Sequence, residues 1–342
     1  MITLIKKAYD NIKGFITGNY LYLLFLLIIY TVFTYPLPYY IYTGGGLINV
    51  DNRIEVSNKT KSKGSYNLCY VSEIQATIPT YLLSYVIPDW DMVAKEDVSY
   101  NEKENDADIK TRNKVYLNEG NNSAIIASYT LANKKYEIVD SNPIIVYLLE
   151  EADTNLRVGD EIISVDNTNV NSREEILDVV SKKNIGDKVE IKVINKNKEY
   201  NRYANIIKYE GEKILGISIM DKYELITDPN VTFNFKNSES GPSGGFMLSL
   251  ALYDFLVKED LTKGLKISGT GTIDKDGNVG EIDGVKYKLK GAVKKHSDIF
   301  FVPNGDNYKE AIKLKKKKNY DIDVVGVSTL QEAITYLKSI KK

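Results

Sequence analysis

Glu239-Ser240-Gly241-Pro242-Ser243-Gly244-Gly245-Phe246 sets a serine between a proline and two glycines, directly before an apolar run from Phe246 to Val257. The run predicts a helix with Ser243 at its N-terminus. The first turn of a helix carries N–H groups without intrahelical acceptors, so a hydroxyl there has donors beside it for a developing oxyanion. Gly241 and Gly244 lack a Cβ and let a substrate backbone come close. Helix capping is the ordinary use of a serine at such a place, and chemistry would require a base as well. The one histidine, His296, would have to carry a Ser-His-Asp triad alone. Lysine is the other partner a serine nucleophile takes. About forty residues on, Gly280-Glu-Ile-Asp-Gly-Val-Lys-Tyr-Lys-Leu289 offers Lys286 and Lys288. In a helix that turns Val285, Leu289, Ala292 and Val293 inward, these two lie on opposite flanks, so helix geometry leaves both open.

A chain of 342 residues has room for two compact domains and extra segments. Its 43% hydrophobic and 27% charged content is that of a globular protein. A net charge of −1 supplies no field for nucleic acid, and Lys315 to Lys318 reads as a solvated helix end. A single cysteine, Cys69, excludes an internal disulfide and a cysteine-based zinc site, and reads as a small core residue. No metal or other cofactor is expected.

Near the N-terminus, Tyr20 to Tyr42 is free of charge. As a helix these residues would span about 34 Å, against a bilayer core of about 30 Å. The segment 20–42 therefore reads as a transmembrane anchor, with Pro36 and Pro38 ending or kinking the regular part near Tyr35. Tyrosines at both ends suit the membrane interface, and Lys6, Lys7 and Lys13 place residues 1–19 in the cytoplasm. Everything after about residue 43 is then extracellular, on a single-pass protein of the cell membrane. A cleaved signal peptide competes with this reading. The length of the apolar region, and the lack of a small-x-small site after it, favour an uncleaved anchor.

Residues 43–136 form the first extracytoplasmic region. Gly44-Gly-Gly46 reads as a hinge, and Gly64 to Ile78 alternates as one or two strands. Trp90 to Asn122 reads as polar loop or solvated helix, with disorder around Asn101 to Asp108. Asn121 to Leu131 reads as a short capped helix. From Glu137 the pattern becomes a strand at Ile144–Leu149, a tight turn into a second strand, an amphipathic helix over 172–183, and a hairpin of Val189–Ile194 with Tyr200–Ile207. This order, and Gly159-Asp-Glu-Ile-Ile-Ser-Val-Asp166 above all, resembles a PDZ domain over 137–209. The resemblance implies a groove in which an extended peptide adds as a strand between Ile144–Tyr147 and the 172–183 helix. Its lining would be Ile144, Ile145, Val146, Ile176 and Val180. Pro143, without an N–H, departs from the carboxylate-holding pattern, which opens the groove to internal segments as well as C-termini.

Residues 210–342 carry a second resemblance. Gly-Pro-Ser-Gly-Gly, Ile267-Ser-Gly-Thr-Gly-Thr-Ile273, Gly-Glu-Ile-Asp-Gly-Val-Lys-Tyr-Lys-Leu and Ile299-Phe-Phe-Val-Pro303 follow the order and spacing of the Lon proteolytic domain. With no Walker A sequence, the arrangement resembles membrane-anchored PDZ-containing Lon-like serine peptidases. In that family the Gly64–Ile78 strands belong to the protease fold, and the PDZ domain is inserted into it. The resemblance implies a Ser-Lys dyad with Ser243 as nucleophile. The family's pattern of two small residues, a hydrophobic one, two variable ones and the base selects Lys288, although Asp283 replaces the first glycine. Ser268 aligns with an orienting hydroxyl near the lysine. A base lysine must be neutral near pH 7, far below its free pKa of about 10.4, and burial is what lowers it. His296 reads as a C-terminal cap of the lysine helix.

The fold class expected is α+β: an N-terminal transmembrane helix, a PDZ domain and a Lon-type proteolytic domain. The function expected is an ATP-independent, membrane-tethered extracytoplasmic serine endopeptidase whose PDZ module recruits or regulates substrate. Its partners are protein or peptide substrates and the membrane, with no nucleic acid. A homo-oligomeric ring, a hexamer, is implied by the resemblance alone. The rival readings are a catalytically inactive PDZ-bearing scaffold and a protein that cleaves only its own chain. Intact Ser243 and Lys288 argue against the scaffold.

Overall fold

The structure, a computed structural model, describes residues 2–57, 59 and 62–341, without the side chains of residues 2–4 and 140. It divides into two compact units, Met1–Thr43 with Ser72–Val98, and Gly44–Val71 with Ser99–Lys342. The first boundary falls at the Gly44-Gly-Gly46 run.

The first unit opens with helices α1 (Ile2–Gly18) and α2 (Tyr20–Thr34), bent by 76° at Asn19. Among the described residues no single helix is long and apolar enough to cross a membrane, whereas this bent pair reaches that length and composition together. The 20–42 segment is not one helix. It stops at Thr34, with Tyr35 already extended, because Pro36 and Pro38 lack N–H groups and force extended backbone before them. Tyr39–Thr43 is instead strand β1. The chain supplies β2 (Leu47–Asn49), β3 (Ile54–Val56) and β4 (Ser65–Cys69) to the second unit. It returns to the first for β5 (Ser72–Gln75), α3 (Ile78–Ser84), β6 (Asp91–Ala94) and α4 (Lys95–Val98). There β1 is the centre of an antiparallel sheet of order β5-β1-β6.

The second unit begins its main run with α5 (Asp106–Leu131), a single helix of 26 residues capped by the Asn105 side chain. Of the two readings of residues 90–122, loop or solvated helix, the helix holds from Asp106 on, and the short helix expected at 121–131 is the end of α5. Polar and apolar residues are not segregated along α5, so its pattern alone carries little helical signal. Packing supplies the stability: Ala124, Ile125, Ala127 and Tyr129 enter the main core, and Ser128 Oγ donates to Ser249 O at 3.0 Å.

Next comes the inserted module: β7 (Lys135–Leu148), β8 (Glu161–Val165), β9 (Thr168–Asn169), α6 (Arg173–Ser181), β10 (Lys188–Asn195) and β11 (Lys198–Asn205). The small hairpin β12 (Ile207–Tyr209) and β13 (Glu212–Ile214) leads to β14 (Ile217–Asp228). The sheet order β11-β10-β8-β7-β14 shows that the module does not close at residue 209, because β14 pairs with β7 along its whole length. A buried carboxylate, Asp160, ties the turn of the Gly159-Asp-Glu stretch together. It accepts from Arg157 N at 2.8 Å and Asn195 Nδ2 at 2.7 Å, and Arg202 Nε lies 2.9 Å away.

The remaining elements are β15 (Val231–Phe233), α7 (Gly245–Val257), β16 (Lys266–Gly269), β17 (Thr272–Ile273), β18 (Val279–Gly280), α8 (Val285–Lys294), β19 (Ile299–Pro303), α9 (Asp306–Lys318), β20 (Asp323–Val327) and α10 (Leu330–Ser339). Their sheet has the order β2-β4-β16-β19-β20, parallel except for β2. Alternation along the strands gives it two buried faces. Tyr66, Leu68, Ile267, Ile299 and Phe301 join the core that holds α7 and α10. Cys69, Phe300 and Val302 join the core that holds α8 and α9. Helix α7 is buried from Gly245 to Leu256, which explains a run apolar on every side.

Candidate active site

Ser243 precedes α7, whose N-cap is Gly244 and makes no side-chain capping bond. The hydroxyl is therefore not spent on the helix. The backbone around it is held by the end of β16. Gly271 N–H and Thr270 Oγ1 both donate to the Ser243 carbonyl, at 2.9 and 3.1 Å, and Phe246 N–H donates back to Gly271 O at 3.1 Å. A Cβ at Gly271 would come within 2.8 Å of Val279 and 3.2 Å of Phe246, so only glycine allows this approach. Among the described residues, the N–H groups of Ser243 and Gly244 donate to no acceptor. Two free donors beside a free hydroxyl are the parts of an oxyanion site. Gly241 has a different place: its N–H donates to Asn113 O at 3.0 Å, and the space where a Cβ would stand is open.

The turn before Ser243 is anchored from two directions. Glu239 takes a two-pronged bond from Arg53, with Nε at 3.0 Å and Nη2 at 2.6 Å, and caps Lys236 N–H at 2.8 Å. Lys114 on α5 donates to the carbonyls of Lys236 and Glu239. Gly120 on α5 lies against Pro242, 3.6 Å from where its Cβ would be.

Lys288 lies in the second turn of α8 and is 4% exposed. Burial, the largest influence, pulls its pKa down to about 8 against the charge of Asp283, which raises it. Among the described residues, no hydrogen bond or ion pair holds its amine. The Cys69 thiol is itself pushed up to about 12 by burial, so it stays neutral beside the lysine. Ser268 is also buried. Its hydroxyl donates to Ile299 O at 3.0 Å and neighbours the Cys69 thiol. Lys286 is less buried and sits 5.2 Å from the Tyr287 ring. His296 lies exposed beyond Lys295, the C-cap of α8, with φ +54.

Both groups thus gather at the C-terminal ends of the parallel strands β4 and β16, the usual place for a site in such a sheet. Ser243 is fixed to Thr270 and Gly271, and Lys288 faces Cys69, which neighbours Ser268 and Gly269. No hydrogen bond joins Ser243 Oγ to Lys288 Nζ, and such contacts often tighten only with substrate. Thr270, Gly271 and the α5 residues escaped the sequence reading, while Cys69 is the small core residue expected. Thr270 and Gly271 lay inside a recognised segment without a role. The α5 residues gave no signal, standing more than a hundred positions upstream.

The residues expected to line a groove in the inserted module are buried. Ile144, Ile145, Val146, Ile176 and Val180 are each 7% exposed or less, and Ile145, Ile176 and Val180 belong to the module's core. Strand β7 is flanked on both sides where those residues stand. Ile144 pairs with Met220 on one side and Glu161 on the other, and Pro143 faces Asp221 inside the ribbon. Of the sheet's two edge strands, β11 and β14, it is β14 that contacts α6. The turn into it, Leu215-Gly216, has Gly216 at φ +71, where a Cβ would strike Ala152.

Residues 236–339 match the Lon protease (S16) C-terminal proteolytic domain, and residues 138–204 match the PDZ domain. No curated protein matches the chain. Among solved structures, it is similar to the PDZ domain of the SdrC-like protein from Listeria monocytogenes, at 21% identity over 24% of this chain and 90% of that one, TM-score 0.21. A Geobacillus thermodenitrificans protein solved in solution is 22% identical over 22% and 92%, TM-score 0.20. The second domain of a Listeria protein is 26% identical over 25% and 88%, TM-score 0.21. The chain joins a PDZ domain to a Lon (S16) proteolytic domain, the make-up of a PDZ-containing Lon-like protease without an ATPase module.

Proposed function

We propose that the protein is an ATP-independent serine endopeptidase in which Ser243 attacks the peptide carbonyl and Lys288 takes the hydroxyl proton. Lysine then returns a proton to the leaving amine, and water completes hydrolysis of the acyl-enzyme. The observation that carries this is Lys288. A lysine buried without an acidic hydrogen-bond partner costs folding energy, and a pKa drawn to about 8 is what a base at neutral pH requires. The unspent Ser243 hydroxyl and the free N–H groups of Ser243 and Gly244 support the same reading, the latter as the oxyanion site. Ser268 orients the Cys69 and Lys288 side of the site.

In this reading α1 and α2 tether the enzyme to the cell membrane, with the catalytic unit outside. The PDZ domain recruits substrate by strand addition at the β14 edge beside α6. The test of the nucleophile is Ser243→Ala in purified full-length protein. Turnover of an unfolded protein substrate should fall at least about a thousandfold while thermal unfolding is unchanged. Wild-type turnover by that variant would remove Ser243 from the mechanism. A serine-reactive phosphonate that never labels the wild type would favour the scaffold reading.

A further inference from the structure

A cleft of about 390 Å³ lies on the α5 side of the Ser243 turn, lined by Tyr116, Glu119, Pro242, Thr272, Asp274 and Val279 among others. Two of these adjoin the reacting centre. Pro242 precedes Ser243, and Thr272 follows Gly271, whose N–H holds the Ser243 carbonyl. The cleft thus adjoins the nucleophile through Pro242 and, through Thr272, the segment that holds its carbonyl, where a substrate side chain flanking the scissile bond would lie. Its walls are largely apolar, and its charged residues are both acidic.

We propose that this cleft is a substrate side-chain pocket and that Glu119 makes it select a lysine or arginine beside the scissile bond. The proposal rests on the serine-peptidase reading and extends it to substrate class. A long basic side chain fits the lining, with its alkyl stem along Tyr116, Pro242 and Val279 and its cation at the carboxylate. The two acidic residues are not equivalent. Asp274 is consumed by its own turn, accepting from Asp276 N at 3.0 Å and from Asn278 N and Nδ2 at 2.8 Å. Glu119 accepts through Oε1 from Ser123 Oγ at 2.8 Å, and its other oxygen has no partner among the described residues.

Two cations of α5 on this side of the molecule are engaged elsewhere. Arg112 is bonded to Glu104 at 2.8 and 3.0 Å and stacked 3.8 Å from the Tyr100 ring. Lys114 is bonded to the carbonyls of Lys236 and Glu239. Burial, chiefly, and the charge of Asp274 hold the Glu119 carboxyl above the usual carboxylate range. An arriving cation reverses that penalty, because an opposite charge favours the ionised form.

The test uses full-length protein in detergent and fluorescent decapeptides that differ at one central position: arginine, lysine, citrulline or norleucine. Cleavage by the wild type is mapped by mass spectrometry. Binding is measured separately in the Ser243→Ala protein by fluorescence anisotropy, so a failure of catalysis does not hide the pocket. The expected result is at least about tenfold preference for arginine or lysine over citrulline and norleucine in both assays. Glu119→Gln should reduce it to within about twofold, and Glu119→Asp, which keeps the charge, should retain part of it. Thermal unfolding shows that each variant is folded. Cleavage without basic preference, or a preference unchanged in Glu119→Gln, overturns the pocket and leaves the peptidase standing. Binding preference that depends on Glu119, with no cleavage, overturns the peptidase and leaves the pocket. Neither binding preference nor cleavage overturns both.

Discussion

Lys288 and Lys286 stand two residues apart on one helix, and burial separates them. With Lys288 drawn to about 8 by burial, about a tenth of it is neutral at pH 7. kcat/KM should therefore rise with pH and level off above about 8. Lys288→Gln should abolish turnover at every pH tested, and Lys286→Gln should cost less than about twofold in rate. A reversed pair of results would move the base by two residues and leave the chemistry intact. The same residue links to stability. Its folded pKa lies below the unfolded value of 10.5, so the native state binds fewer protons between about 8 and 10.5. Stability should rise with pH across that window in the wild type, and urea melts of Lys288→Met should lose that rise.

At the scale of elements, the turn leading into α7 is held in place by contacts from distant segments. Arg53 reaches Glu239 from before β3, and Lys114 and Gly120 reach the same turn from α5. Arg53→Ala frees the turn without touching Ser243 or Lys288. It should lower kcat by roughly threefold to thirtyfold, with the melting temperature changed little, since misplacing a nucleophile by a fraction of an ångström is costly. An unchanged kcat would show that the turn holds itself. The β14 edge makes a second prediction. Leu177 is 49% exposed on α6, the helix beside that edge. Leu177→Glu should weaken turnover of protein substrates while short unstructured peptides are cleaved as before. Equal losses on both would argue that the PDZ domain takes no part in recruitment.

At the scale of the whole molecule, the proposed orientation rests on charge: Lys6, Lys7 and Lys13 precede the uncharged α2. With this asymmetry, protease added to intact, wall-stripped cells should degrade everything beyond about residue 43. Protection until lysis would place the catalytic unit in the cytoplasm. The bend between α1 and α2 makes the proposed anchor testable. Carbonate extraction should leave the full-length protein with the membrane, and release would make α1 and α2 a surface attachment.

Much of this was legible along the chain because the deciding signals are local. Ser243 with its glycines, the β17–β18 hairpin around Asp274–Asn278, and α6 with its Ser172 cap are each written in a few consecutive residues, where turn chemistry and periodicity act. The four Lon-type segments and the Gly-Asp-Glu-Ile-Ile stretch were legible for the same reason. What the tertiary structure decided involves partners far apart in sequence. Helix α5 looked polar because its stability comes from packing on α7 rather than from its own pattern. Strand β14 looked like the start of the protease, and only pairing with β7 made it an edge of the module's sheet. The depressed pKa of Lys288 comes from desolvation between α8 and β4, and the acidic cleft from bringing Glu119 beside Pro242. Sequence alone determined which residues could do chemistry. Burial and strand pairing, which depend on neighbours far along the chain, determined which of them are placed to do it.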